Sequence, residues 1–241
     1  MKQLKTLYFI LFLGILIYPS SGSVILFQSN FSSGTTSGLE FIRSLSNWSV
    51  INGVLDNGGQ GYSGTVEAAV FNGITTPQNF RLEADIYGYT NNSPNYNHIG
   101  FIWGINDNAT APINSYNATY LRTHSQHVTN FSMVNGVGWD TERIISTPGA
   151  AAGIVHHLMI EVNYNTKTMT TTLNSFSQTF TGADFDAINR NSGGKIGLIS
   201  WQDHQYYDNV ILTDISVPET SSVAFLLTGL LAYFWKQKNR I

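Results

Sequence analysis

Between residues 25 and 216 the chain alternates apolar and polar residues with a period of two, the spacing of a β-strand with one buried face. Asn79 to Tyr87 sets Phe80, Leu82, Ala84 and Ile86 on one side and leaves Glu83 and Asp85 on the other. Leu158 to Tyr164 alternates around Ile160 and Val162, and Tyr206 to Ile215 carries Val210, Leu212 and, less regularly, Ile215. His98 to Gly104 is a short aromatic-rich run, Lys167 to Leu173 is rich in threonine, and Lys195 to Trp201 also reads as a strand. Asn52-Gly53, Asn57-Gly58-Gly59, Asn72-Gly73, Asn135-Gly136 and Ser192-Gly193-Gly194 punctuate the series as turns. The best helical turn is Gly182 to Asn189, with Asp184 placed to cap it. Many short strands, with no repeat and no linker, predict one all-β domain. Large aromatics and strands with two partly apolar faces favour an antiparallel two-sheet sandwich over a barrel. Trp48 and Trp103 are expected in its core.

The alternation ends where two different patterns begin. Lys2 and Lys5 precede an apolar run from Thr6 to Tyr18, broken by Pro19 and followed by Ser20-Ser21-Gly22. That order predicts a secretory signal peptide over residues 1–22. At the other end Val217-Pro218-Glu219 precedes an apolar run from Val223 to Trp235, then Lys236, Lys238 and Arg240. Both runs are shorter than the roughly 20 residues of a spanning helix. The trailing cations would stay on the cytoplasmic side, leaving the domain of residues 23–216 outside.

Composition narrows the function classes. Only 11% of residues are charged and there is no cysteine. Asn, Thr, Ser and Gly take the place of charge, which argues against a polytopic membrane protein. The missing thiols exclude a disulfide scaffold, a cysteine nucleophile and thiolate metal sites. Between residues 23 and 216, seven basic residues stand against fourteen acidic ones, a net charge of −7. A domain so charged has no basic face for nucleic acid.

The order of Phe27 to Phe31, Trp48 to Leu55, Phe80 to Ile86, Ile99 to Trp103, Tyr120-Leu121-Arg122, His157 to Val162, Gly194 to Trp201 and Tyr207 to Leu212 resembles a concanavalin A-like lectin/glucanase domain of the laminin-G-like kind. The resemblance implies a jelly roll of two curved antiparallel sheets, a fold shared by carbohydrate binders, adhesion modules and some glycoside hydrolases. The segment 217–241 resembles the PEP-CTERM sorting signal of Gram-negative bacteria, with Thr220 where that signal usually has a second proline. That resemblance implies processing by an exosortase-like enzyme, transient or lasting attachment to the membrane through the C-terminal helix, and a destination at the cell surface. Exosortase substrates accompany exopolysaccharide production, so polysaccharide is the expected partner.

A glycosidase needs two carboxylates flanking the scissile bond. Laminarinase-like relatives carry Glu-x-Asp-x-x-Glu on one strand. Here Glu83 and Asp85 supply the first two and Gly88 stands at the third, so no catalytic residue is expected. The pairs Asp184 with Asp186, and Asp203 with Asp208 near His204, read as surface acids. His124 and His127 have a spacing that shares a face only in a helix, and His156 and His157 point oppositely in a strand, which argues against zinc. Calcium is the cation suited to the oxygens of Asn106, Asp107 and Asn108, with Asp140 and Glu142 as a second set. The ligand-binding candidates are the loop-flanking aromatics Tyr87, Tyr89, Tyr96, Tyr116, Tyr120, Trp139 and Trp201, with Arg122 for hydroxyl groups. Asn-x-Ser/Thr sequons stand at Asn30, Asn47, Asn91, Asn108, Asn117 and Asn130, as expected by chance in so Asn- and Thr-rich a chain. The expected function is a non-catalytic, surface-retained polysaccharide-binding or matrix module. The alternatives are a polysaccharide hydrolase and a protein–protein adhesion module.

Overall fold

Alternation becomes burial along Asn79–Gly88: Phe80, Leu82, Ala84 and Ile86 are fully enclosed while Arg81, Glu83, Asp85 and Tyr87 stay half-buried on the opposite face. The computed structural model describes residues 22–42, 48–58, 66–88, 98–106, 113–138, 141–201 and 204–216. Ile25–Asp214 forms one compact unit. The signal-like segment up to Ser21 and the sorting-like segment, including Val217, Pro218 and Glu219, lie outside the described residues.

The described strands are β1 (Val24–Ser29), β2 (Leu39–Ile42), β3 (Ser49–Ile51), β4 (Val54–Asp56), β5 (Glu67–Thr75), β6 (Asn79–Gly88), β7 (His98–Ile105), β8 (Tyr116–Arg122), β9 (His127–Met133), β10 (Arg143–Ser146), β11 (His156–Asn163), β12 (Thr168–Leu173), β13 (Phe176–Thr181), β14 (Lys195–Trp201) and β15 (Gln205–Asp214). They form two antiparallel sheets. One has eight strands in the order β13-β12-β11-β6-β15-β4-β3, with β1 also paired to β15; the other has seven in the order β10-β9-β8-β7-β14-β5-β2. The fold is therefore the expected antiparallel jelly-roll sandwich.

The core between the sheets takes Phe80, Leu82 and Ile86 from one side and Ile99, Phe101, Trp103 and Leu198 from the other. Trp48 and Trp103 are both in it, as expected. Tyr207 of β15 ties the layers together. Its hydroxyl accepts from Gly100 N (2.9 Å) and lies within hydrogen-bond reach of the Gly100 and Ile199 carbonyls, all on the opposite sheet. Burial pushes the Tyr207 hydroxyl pKa upward, so it stays protonated.

Two asparagines inside the sandwich gather other buried polar side chains around them. Asn130 Oδ1 accepts from Thr119 Oγ1 (2.6 Å) and from Thr171 Oγ1 (2.8 Å). Asn117 Oδ1 accepts from Ser132 Oγ (2.8 Å) and Asn191 N (3.1 Å). Two of the sequon asparagines are thus enclosed structural groups.

Turn chemistry holds at Asn52-Gly53 and Asn135-Gly136, where both residues of each pair take positive φ, as a two-residue hairpin turn of the primed type requires. Asn72-Gly73 departs from expectation: β5 runs through it, and the pairing of β5 with β14 shifts register there. Gly73, at φ +72, absorbs the irregularity as a bulge within the strand. The helix forms at Gly182–Ile188 and buries Phe185 and Ile188. Asp184 does not cap it: the cap position is Thr181, and Asp184 instead accepts from Arg143 Nε (2.6 Å).

Candidate functional site

The outward face of the eight-stranded sheet is polar, accessible and ordered in rows by strand register. Tyr206 stands opposite both Asp56 and Tyr87; in the next row Asp85 stands opposite both Asp208 and His157; Glu83 stands opposite both Ile211 and Met159. Three strands distant in sequence, β11, β6 and β15, thus bring their polar faces side by side.

Asp85 is the hub. One of its oxygens accepts from His157 Nδ1 (2.9 Å) and the other from Asn209 Nδ2 (2.8 Å). His157 Nε2 lies 3.5 Å from Glu83 Oε2, so the imidazole bridges the two carboxylates of β6. Asn209 reaches Asp85 because β15 breaks register between Asp208 and Ile211 and Asn209 turns to φ +50. Bulges commonly re-aim a side chain in this way.

Beside this cluster lies an aromatic row. The rings of Tyr87 and Tyr206 are 5.5 Å apart and tilted by 55°, and His204 stacks on Tyr206 at 6.3 Å. His204 is anchored through Nδ1 to the buried carboxylate of Asp56, 3.1 Å from each oxygen. On the other side of Asn209 a groove of about 440 Å³ opens, lined by Gln28, Ser29, Asn30, Ser32, Ser33, Asn209 and Ile211. Such a surface offers half-exposed aromatic rings for apolar C–H faces, and carboxylate, amide and imidazole groups for hydroxyls.

The outward face of the seven-stranded sheet is the opposite. Ile102, Tyr116, Ala118, Tyr120, Phe131 and Ile199 form a second buried apolar layer there. This corrects the expectation for Tyr116 and Tyr120, which are enclosed and cannot stack on a ligand. Tyr116 packs edge-on to Phe131 at 5.6 Å, and burial raises its pKa; the Tyr120 hydroxyl is pushed up to about 12 by the same cause. Arg122 is turned inward on the protein's own groups. It donates to Tyr120 Oη (2.7 Å) and to Glu142 Oε1 (2.9 Å). Glu142, expected as a calcium ligand, is therefore committed to Arg122. His98 packs on Tyr120 at 4.6 Å; burial first, then the Arg122 charge, push its pKa down to about 3.

Of the remaining sequence candidates, Tyr87 is half-buried on the accessible face. Trp201 is the Cα partner of His98, and its side chain lies outside the description. Tyr89, Tyr96, Trp139, Asp107 and Asn108 lie outside the described residues, and Asn106 is exposed. Among the described residues no group of three or more His, Asp or Glu side chains is placed to hold a metal ion, and Asp107, Asn108 and Asp140 of the calcium candidates lie outside the described residues. Asp184 and Asp186 are paired with Arg143 and Lys167. Gly88 is buried, and a Cβ there would sit 3.3 Å from Thr123 Cγ2, leaving an acid at that position little room. His157, Asn209, the Asp56–His204 pair and the groove were not anticipated from sequence. The one local signal was Asp208-Asn209, a turn-forming pair interrupting an apolar strand.

No family model matches the chain, and no curated protein matches it. Solved structures do match in fold. The carbohydrate-binding module CBM66 from Bacillus subtilis aligns with a TM-score of 0.54 and 15% identity, over 72% of this chain and 93% of that one. Lectin I-B4 from Griffonia simplicifolia, in its metal-free form, aligns with a TM-score of 0.56 and 12% identity, over 80% and 99%. An endo-1,3-beta-glucanase from Streptomyces sioyaensis aligns with a TM-score of 0.53 and 11% identity, over 82% and 98%. The chain is similar to lectin, carbohydrate-binding-module and glucanase jelly rolls, and at these identities the likeness is one of fold.

Proposed function

We propose that this protein is a glycan-binding module without catalytic activity, and that its binding surface is the outward face of the eight-stranded sheet. The observation that carries the proposal is the joined His157–Asp85–Asn209 cluster beside the half-exposed Tyr87 and Tyr206 rings. Fold similarity to a carbohydrate-binding module and a lectin supports the same reading. Glu83 and Asp85 act here as hydrogen-bond acceptors for sugar hydroxyls. Hydrolysis would need a positioned proton donor, which contributes typically 10²–10⁴-fold, and buried Gly88 supplies none.

In this proposal the signal-like segment 1–22 exports the chain across the inner membrane. The Val217-Pro218-Glu219 segment directs it to an exosortase-like enzyme, and the domain acts at the cell surface or in an exopolysaccharide matrix. No cofactor is assigned. Affinity electrophoresis through gels containing β-glucans or the producing cell's own exopolysaccharide tests the binding function. Retention that Tyr87→Ala and Asp85→Asn weaken about tenfold is expected. Hydrolysis abolished by Glu83→Gln or Asp85→Asn would replace the binding reading with an enzyme. Mass spectrometry of the native protein tests the sorting route: mature protein still carrying Lys236 to Ile241 would contradict it.

A further inference from the structure

We propose that the groove beside Asn209 is a second sugar subsite, so that one uncharged glycan chain lies along β15 from the tyrosine pair into the groove. The proposal rests on the glycan-binding reading above and extends it to the ligand's charge and length.

The first ground is the continuity of the surface. Tyr206, Asn209 and Ile211 follow one another on β15. At a strand's rise of about 3.3 Å per residue, the stretch from Tyr206 to Ile211 covers on the order of 15 Å, more than one sugar ring fills. Asn209 belongs to both halves. Its Nδ2 donates to Asp85 while the same residue lines the groove. An asparagine at φ +50 within a strand is uncommon, and here the break in register with β6 turns it between the two. Its backbone N–H donates to Asp208 Oδ1 (2.8 Å), which braces the turn.

The second ground is chemical. The groove is lined by two hydroxyl-and-amide segments, Gln28-Ser29-Asn30 and Ser32-Ser33, with Ile211 as its apolar element. Amide and hydroxyl groups both donate and accept, as sugar hydroxyls do. Ser32 is already held in place, its N–H and Oγ both donating to Asn30 Oδ1 (3.2 and 2.8 Å).

The third ground is charge. No lining residue is basic. On the adjoining face the fixed charges are the carboxylates of Glu83, Asp85 and Asp208, while Arg81 is spent on Glu161 at 2.8 Å. A domain of net charge −7 repels a polyanion as it approaches. A uronate or sulfate chain would lay its negative groups along carboxylates with no cation to meet them, whereas an uncharged chain finds hydrogen-bond partners throughout.

The test is calorimetry on the full chain. The probes are linear oligosaccharides of two to six units from β-1,3-glucan, β-1,4-glucan, β-1,4-xylan, β-1,4-mannan and α-1,4-glucan, with oligogalacturonates of the same lengths. For at least one neutral series, affinity is expected to rise tenfold or more between two and five units, with no binding of oligogalacturonate. Ser32→Trp, on an exposed segment, fills the groove, and Asn30→Ala removes its amide. Each should reduce the five-unit affinity toward that of the two-unit probe. Binding that Tyr87→Ala weakens but that does not change with length would overturn the second subsite and leave the glycan reading standing. Equal binding of oligogalacturonate would overturn the assignment of an uncharged ligand. Binding of none of the probes would overturn the glycan reading and this proposal together.

Discussion

Along β6 the residues facing away from the core are Arg81, Glu83, Asp85 and Tyr87, all half-buried; along β8, in the other sheet, they are Tyr116, Ala118, Tyr120 and Arg122, of which the first three are enclosed. Both strands sit near the middle of an antiparallel sheet, and both back onto the same core. One outward face is a free polar surface whose groups are linked in a chain from Glu83 to Asn209. The other is a second buried apolar layer, with the partly exposed Arg122–Glu142 pair beside Tyr120. The comparison teaches that a tyrosine's place in sequence, next to an Asn-rich loop, does not decide its role. Whether its strand face is open does.

Stability should separate the faces most widely. Phe131→Ala, in the covered layer, is expected to cost roughly 3–5 kcal/mol through lost burial and the cavity left behind. Tyr87→Ala, on the open face, is expected to cost less than about 1 kcal/mol. Urea denaturation of the two variants checks this, and similar losses would erase the distinction.

Acid should strike the covered face next. His98 is lowered from 6.5 to about 3, chiefly by burial and then by the charge of Arg122. Between those values the unfolded chain binds a proton that the folded chain does not. The stability His98 contributes is therefore present at pH 7 and lost as pH falls through 6.5 toward 3. The expected loss from this group is roughly 3 kcal/mol between pH 7 and pH 4. His124 and His127 are lowered as well and act in the same direction. Denaturation midpoints at the two pH values measure the loss, and His98→Asn should remove most of the His98 share.

Binding should reverse the ranking. Tyr87→Ala and Asp85→Asn are expected to weaken glycan retention about tenfold each, about 1.4 kcal/mol, with the fold intact by circular dichroism. The smallest effect belongs to the Arg81–Glu161 pair on the same open face. Both side chains are about two-fifths exposed, so a double-mutant cycle should return less than about 1 kcal/mol, shrinking further in high salt.

The same contrast explains what could be read from the chain. β6, β11 and β12 alternate cleanly because water lies on one side of them, and their spans were legible. β9 was not: its Thr129, Asn130 and Ser132 look like loop residues yet are fully buried. The burial of Asn130 and Ser132 is tolerable because partners such as Thr171 and Asn191 arrive from 41 and 59 positions away, which no local pattern reveals. The site divides the same way. Glu83, Asp85 and Tyr87 could be placed on an open strand face from alternation alone. His157 and Asn209 join Asp85 from 72 and 124 positions away, so the cluster exists only once β11 and β15 flank β6.

The most direct test of the account is a nuclear magnetic resonance titration of the 23–216 domain with the neutral oligosaccharide it binds best. The prediction is that the amide shifts which move belong to Glu83, Asp85, Tyr87, His157, Tyr206 and Asn209, and to the groove residues Asn30 and Ser32. Movement confined to Tyr116, Tyr120, Arg122 and their neighbours on β7 and β9 would place the ligand on the other sheet and contradict the account.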